Sequence, residues 1–118
     1  MSSKISGYRD LVVWQRAMEL AEATYLLTKR FPPDEQYGLT SQARRAAASV
    51  AANIAEGYGR QTRASYVSFL RIAQGSLKEL ETHLILAERE ALWARLEAAS
   101  FLTPEERRRM AGVGGMSE

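Results

Sequence analysis

Apolar residues recur along the chain at intervals of three and four, which is the period of an α-helix. The first such stripe lies between Arg9 and Arg30 and consists of Leu11, Trp14, Met18, Ala21, Tyr25 and Thr28. Pro32 and Pro33 follow it and cannot continue a helix. We therefore predict a first helix of about six turns that ends at Arg30.

A second pattern predicts a helix from about Leu39 to Glu56. Alanine dominates its apolar stripe, which is Leu39, Ala43, Ala46, Val50 and Asn53/Ile54. The distance between packed helices depends on the side chains at the contact, so we expect neighbouring helices to come close here. Gly57 stands where a residue in the left-handed conformation commonly ends a helix. We predict that the second helix stops there.

The longest pattern begins at Arg63 and extends into residues 88–96. Its apolar seam alternates steps of four and three and comprises Tyr66, Leu70, Ala73, Leu77, Leu80, Leu84, Ala87, Ala91, Ala94 and Ala98. A short final helix is predicted at Thr103, which is a suitable N-cap, with proline next and Glu106 at the capping-box position. Three glycines soon follow, and residues 112–118 are expected to be a frayed tail.

No segment alternates apolar and polar residues as a half-buried strand does. The predicted fold class is therefore all-α, an up-and-down four-helix bundle with a short final helix. At 118 residues the chain has the length of one domain, with a core over about residues 8–111.

The amino-acid composition excludes several classes of protein. The chain has no cysteine, which excludes a disulfide framework, thiol catalysis and a zinc site of the cysteine type. The N-terminal residues lack the pattern of a signal peptide, and no apolar run reaches the length of a membrane span. We expect a soluble, cytoplasmic protein that does not associate with membranes.

Charge is unevenly distributed along the chain. Between residues 36 and 78 six basic residues face one acidic residue, Glu56, whereas five basic residues face eight acidic ones from Glu79 onward. The six are Arg44, Arg45, Arg60, Arg63, Arg71 and Lys78. A basic strip of this kind suits phosphate groups. A solvated face with local ion pairs explains it equally well.

The segment "EGYGR" at residues 56–60 has the glycines of a phosphate-binding loop but the wrong context. Such loops follow a strand and precede a helix, so that helix N-terminal amides face the phosphate. Here the glycines follow a helix. Tyr58, just before the break, and Tyr66, just after it, could stack on bases, but packing in the core or at an interface is the preferred interpretation.

Asn53 and Glu56 lie three residues apart and share a helix face. We interpret them as a polar lock within or between bundles, in which Glu56 requires a partner because an unpaired buried carboxylate is costly. A single histidine, His83, cannot form a triad or a metal site by itself. We therefore expect no catalytic residue, no metal site and no cofactor.

Three blocks together resemble a known family: "YRDLVVWQRAMEL", "FPPDEQYGLTSQARRAAASVAANIAEGYGR" and "SYVSFLRIAQGSLKELETHL". The chain is similar, over about residues 8–90, to the four-helix-bundle proteins encoded within 23S rRNA intervening sequences. Their relatives include the accessory variability determinant of diversity-generating retroelements. By motif position, Asn53, Glu56 and Gly57 match the family's "NIAEG", and Glu79 and Glu81 match its "GSLKELET".

The resemblance implies a homopentamer of up-and-down bundles. It also implies, in the retroelement branch, a basic surface that associates with nucleic acid and with a reverse transcriptase. The leading hypothesis is a non-enzymatic homo-oligomer, a pentamer, whose basic surface contacts RNA or DNA. The alternative is a protein-interaction scaffold, for example for a reverse transcriptase, without direct nucleic-acid binding. An enzyme is the third option and would require Glu56 beside Glu79 or Glu81 with a bound metal.

Overall fold

The computed structural model describes residues 4–35, 38–98, 103–106 and 108–109. Two single turns of 3-10 helix, at Tyr8–Asp10 and Pro33–Glu35, precede the first and second α-helices. The three long helices are α1 (Val12–Thr28), α2 (Leu39–Tyr58) and α3 (Arg63–Ala98). Residues 104–106 and 108–109 are also helical, and the described ranges contain no strand. The prediction of an all-α fold is confirmed.

Helix α1 begins three residues later than the sequence pattern suggested. The carboxylate of Asp10 accepts hydrogen bonds from the backbone amides of Ser6 (2.7 Å) and Gly7 (3.3 Å), which closes the turn at Tyr8–Asp10. Leu11 then adopts an extended conformation, with ψ of 126°, and serves as the N-cap residue of α1. The predicted start at Arg9 was wrong. The Asp10 side chain accepts the backbone hydrogen bonds that close a separate turn before α1, so the α-helix begins only after that turn.

The buried face of α1 includes most of the predicted stripe. Its buried residues are Ala17, Ala21, Thr24 and Thr28, and the hydroxyls of both threonines donate to backbone carbonyls one turn earlier. Of the predicted stripe, Ala21 and Thr28 are buried, Leu11, Trp14 and Met18 pack against the core, and Tyr25 is the exception at 45% exposed.

Helix α2 supplies most of the core. Eight apolar or small residues and one threonine along it are buried, and all members of the predicted stripe are among them except Asn53, which is half-buried. Its N-terminus has glycine as the N-cap residue, and the Glu35 carboxylate accepts the hydrogen bond of the Leu39 amide at 3.2 Å. A carboxylate near a helix N-terminus also complements the helix dipole.

Gly57 does not end the second helix. Helix α2 continues to Tyr58, and none of the described glycines has a positive φ. Gly57 is buried, and a Cβ atom added there would lie 2.6 Å from Cβ of Phe69 and 3.1 Å from Cδ1 of Tyr66. The predicted left-handed stop was wrong, and the glycine instead permits the close approach of α3.

Helices α1, α2 and the first part of α3 run up, down and up. Thr28, at the end of α1, contacts Arg44 in the first half of α2, and Ser49 of α2 contacts Ser76 of α3. One core cluster draws residues from all three helices: Ala17, Val50, Ala51, Ile54 and Ala73, with Leu11, Trp14, Met18 and Leu70 packed against them. Leu80 of α3 is 1% exposed.

The chain groups into two compact units, Met1–His83 and Leu84–Glu118. In the second unit Thr103 and Glu106 form the predicted capping box. The Glu106 amide donates to Thr103 Oγ1 at 3.1 Å, and the Thr103 amide donates to Glu106 Oε1 at 3.2 Å. The predicted tail at residues 112–118 lies outside the described residues. No helix in the described ranges combines the length and apolar character required to cross a membrane.

Candidate nucleic-acid interface

The six basic residues predicted to face nucleic acid fall into two groups in the structure. Two of them, Arg44 and Arg60, bind other parts of the same chain. The other four are exposed and form no ion pair with a described residue. The two groups therefore differ in what the guanidinium or ammonium group contacts.

Arg44 ties α2 to the end of α1. Its Nε donates to Thr28 Oγ1 at 2.8 Å, and its Nη2 lies 3.5 Å from the carbonyl oxygen of Tyr25. The guanidinium carbon lies 4.8 Å from the centre of the Tyr25 ring. A cation placed at a helix C-terminus interacts favourably with its free carbonyls. Arg44 is therefore a structural residue of the α1–α2 pair.

Arg60 closes the end of α2 in a similar way. Its Nη2 donates to Glu56 Oε2 at 2.8 Å, and its guanidinium carbon lies 4.6 Å from the centre of the Phe69 ring of α3. Glu56 thus has Arg60 as its partner. The Glu56 side chain is 57% exposed and that of Arg60 is 43% exposed, so the pair lies at the surface, where ion pairs contribute little stability.

The remaining cations are Arg45 on α2 and Arg63, Arg71 and Lys78 on α3, and all four are exposed. Arg45 Nη2 lies 3.5 Å from Ser41 Oγ. The three on α3 form no ion pair with any residue that the structure describes. Between Gly57 and Lys78 the sequence contains no acidic residue. Arg63, Arg71 and Lys78 therefore present positive charge that no described carboxylate neutralises in an ion pair.

A shallow depression of about 530 Å³ lies between the first two cations of α3. Arg63 and Arg71 border it, and small or apolar side chains form its floor: Ala64, Val67 and Ser68. The first turn of α3 contains no acidic residue, and the Ser65 amide is capped by Thr62 Oγ1 at 3.1 Å. The floor therefore offers no carboxylate that would oppose an anionic ligand.

The two tyrosines near this surface pack against each other. Tyr58 and Tyr66 are half-buried, with ring centres 6.0 Å apart and ring planes at 83°. This edge-to-face geometry is a favoured aromatic pairing that stabilises the α2–α3 turn. Their preferred interpretation as packing residues agrees with this arrangement.

Asn53 belongs to a small polar cluster between α2 and α3. Its Nδ2 donates to the carbonyl oxygen of Ser49 at 2.8 Å and to Ser49 Oγ at 2.9 Å. Ser49 Oγ lies 2.8 Å from the Oγ of Ser76, which is buried. Asn53 thus joins the two helices through Ser49, whereas Glu56 points to Arg60 and takes no part in this cluster.

The side chain of His83 is mostly shielded from solvent. Its side chain is 14% exposed, and Nε2 lies 3.8 Å from Glu79 Oε2 without a hydrogen bond to a described residue. Within the described ranges, no group of three or more histidine or acidic side chains is arranged to hold a metal ion.

A second surface feature was not predicted as a site. A largely apolar groove of about 810 Å³ runs between α1 and α2. Its lining residues are Tyr8, Trp14, Met18, Ala21, Glu22, Tyr25, Leu26, Lys29, Ala48, Ala51, Ala52 and Ala55. We call it the α1–α2 groove. The alanine pattern of α2 indicated close packing but not which face would remain open.

Comparison with protein families identifies the chain. The model of the 23S rRNA-intervening sequence protein family matches residues 9–107. The chain belongs to this family. Comparison with curated proteins returned no match.

Membership in the 23S rRNA-intervening sequence family extends the resemblance seen in the sequence. The family match continues beyond residue 90, through the end of α3 and into the capping box at Thr103. The match includes the segment Asn53–Gly57. In the structure Asn53 bonds to Ser49, Glu56 bonds to Arg60, and Gly57 lies against Phe69.

Proposed function

We propose that this protein is a non-enzymatic homo-oligomer, a pentamer, that associates with nucleic acid through the exposed cations of α3. The observation that carries the proposal is the unpaired basic surface formed by Arg63, Arg71 and Lys78. Such a surface attracts polyanions through Coulomb forces and the release of condensed counterions. The family description refers to 23S rRNA, which makes RNA the first nucleic acid to test.

The α1–α2 groove supports the oligomeric part of the proposal. Its apolar lining and the alanines along α2 would allow a helix of another copy to approach closely. Open apolar surface of this kind is typical of interaction sites. Symmetric closed rings are a common form of homo-oligomer.

The test of nucleic-acid association is a salt titration. The full chain is titrated onto duplex, single-stranded and structured RNA by fluorescence anisotropy, first at low salt. We expect binding that weakens steeply as salt rises, because phosphate contacts release counterions. If no probe binds at low salt, the nucleic-acid part of the proposal is wrong.

The second candidate function is a protein-interaction scaffold, for example for a reverse transcriptase. The α1–α2 groove favours it, because an apolar groove can also accept an amphipathic helix from a different protein. Substitution of Arg44 is unsuitable for separating the candidates, since this residue holds α1 to α2. Charge removal at Arg71 is suitable instead. Unchanged partner binding together with lost RNA binding in the Arg71 variant would assign the two activities to different surfaces.

A further inference from the structure

Three exposed cations in the first half of α3 lie on one side of the helix. Arg63, Arg71 and Lys78 are separated by eight and seven residues. At 1.5 Å per residue they span about 22 Å along the helix, and at 3.6 residues per turn they lie within about 80° of arc. We call this row the α3 stripe.

The residues around the α3 stripe offer charge but no stacking surface. Proteins that bind single strands usually combine a basic groove with exposed aromatic rings on which bases stack. The three aromatic residues nearest in sequence are already occupied: Tyr58 packs on Tyr66, and the ring of Phe69 lies beneath Arg60. The floor between Arg63 and Arg71 carries only short side chains.

A rigid row of charges without a stacking surface matches a duplex. Duplex nucleic acid presents about one negative charge per 1.7 Å of its axis, so that many phosphates face a row of this length. Contacts to phosphates fix position but do not distinguish base sequences. Charge complementarity therefore favours the duplex backbone as the occupant of the stripe.

We propose that the α3 stripe binds the sugar–phosphate backbone of a nucleic-acid duplex, independently of base sequence and in preference to a single strand. This inference rests on the proposed association with nucleic acid and adds the form of the ligand, a duplex contacted without recognition of its bases. Arg44 and Arg60 are excluded from the contact set because their guanidinium groups already donate to Thr28 and Glu56.

The test compares charge variants of the full chain on matched probes. The probes are two duplexes of unrelated sequence, prepared both as RNA and as DNA, and their separated single strands. Arg71→Gln and Lys78→Gln remove one charge each, and Arg71→Lys keeps the charge. The matched control is Arg30→Gln, which removes an exposed charge just after α1. Circular dichroism verifies that every variant is folded.

We expect both duplex sequences to bind equally and more tightly than their single strands. On B-form DNA, each glutamine variant of the stripe should reduce the slope of log K against log salt by about 0.9 per contacting protomer. Arg71→Lys and Arg30→Gln should leave the slope unchanged.

One result overturns the inference while leaving the proposed function intact: binding of single strands at least as tight as that of duplexes. A salt slope that does not change when Arg71 or Lys78 loses its charge would overturn both the inference and the assignment of nucleic-acid binding to α3. An absence of binding to every probe at low salt would instead overturn the proposed association with nucleic acid, and this inference with it.

Discussion

At the scale of single residues, Gly57 carries the most specific requirement. Its Cα hydrogens face the Cβ of Phe69, an atom fixed by the α3 backbone rather than the end of a flexible side chain. Any Cβ at this position would push α3 away from α2. The glycine is therefore required for contact distance and not for its backbone angles.

We predict that Gly57→Ala lowers the free energy of unfolding by roughly 1–2 kcal/mol, because overpacking outweighs the gain in helix propensity. Gly75→Ala is the matched control, since Gly75 lies in α3 with nothing within 4 Å of an added Cβ. That variant should gain about 0.5–1 kcal/mol. Urea denaturation measures both. Equal stabilisation of the two variants would contradict the close approach at Gly57.

The adjacent residues Arg44 and Arg45 of α2 differ in their contacts. Arg44 bonds to Thr28 and covers the Tyr25 ring, whereas Arg45 is exposed. We predict that Arg44→Ala lowers the free energy of unfolding by about 1.5–3 kcal/mol, the usual effect of losing a hydrogen bond to a charged group. Arg45→Ala should change it by less than about 0.5 kcal/mol. Thermal or urea unfolding of the two variants tests this, and equal losses would refute the assignment.

At the scale of elements, helices α2 and α3 are joined by apolar packing and by a polar contact between Ser49 and Ser76. Ser49 accepts from Asn53 on its own helix and bonds to Ser76 on the other. Because Ser76 is buried, its hydroxyl requires this partner. The contact therefore helps to fix how the two helices align along their length.

We predict a coupling free energy of about 0.5–1.5 kcal/mol between Ser49 and Ser76 in a double-mutant cycle with alanine. The control cycle pairs Ser49 with Ser68, which is exposed on another part of α3. Its effects should be additive within experimental error. Additivity in the first cycle as well would mean that the two hydroxyls do not stabilise each other.

At the scale of the whole molecule, the apolar α1–α2 groove and the α3 stripe offer different chemistry to partners. The apolar lining of the groove favours binding of a helix, whereas the positive charge of the stripe favours binding of an anion. The proposed oligomer should therefore depend on the groove alone. Five chains of 13.2 kDa would give a particle of about 66 kDa.

We predict that Ala52→Glu, which introduces a carboxylate into the α1–α2 groove, reduces the solution mass measured by light scattering after size exclusion. Burying an unpaired carboxylate in an interface is costly. Ala23→Glu adds the same group to an exposed position of α1 outside the groove and should leave the mass unchanged. A monomeric parent protein would refute the oligomer, and an unchanged mass for Ala52→Glu would refute the groove as its interface.

The helices were predictable because their determinants are local. The spacing of apolar residues along α2, the prolines after α1 and the pair Thr103 and Glu106 act within one or two turns of chain. These features gave the all-α class, the start of α2 and the capping box, all of which the structure confirms. Family membership was also visible, since it resides in ordered sequence blocks.

Other features depend on how the helices pack and do not follow from the local patterns. The pattern of apolar residues could not say which side of α1 would face α2 and which would line a groove. The glycine at position 57 is compatible with both a helix end and a close contact, and only the position of Phe69 distinguishes them. Likewise six cations look equivalent in sequence, but Arg44 bonds to Thr28, sixteen residues earlier, and Arg60 lies over the Phe69 ring of another helix. Contacts between residues far apart in sequence depend on how the helices pack. The spacing of apolar residues along one helix does not specify which residues of another helix will lie beside it.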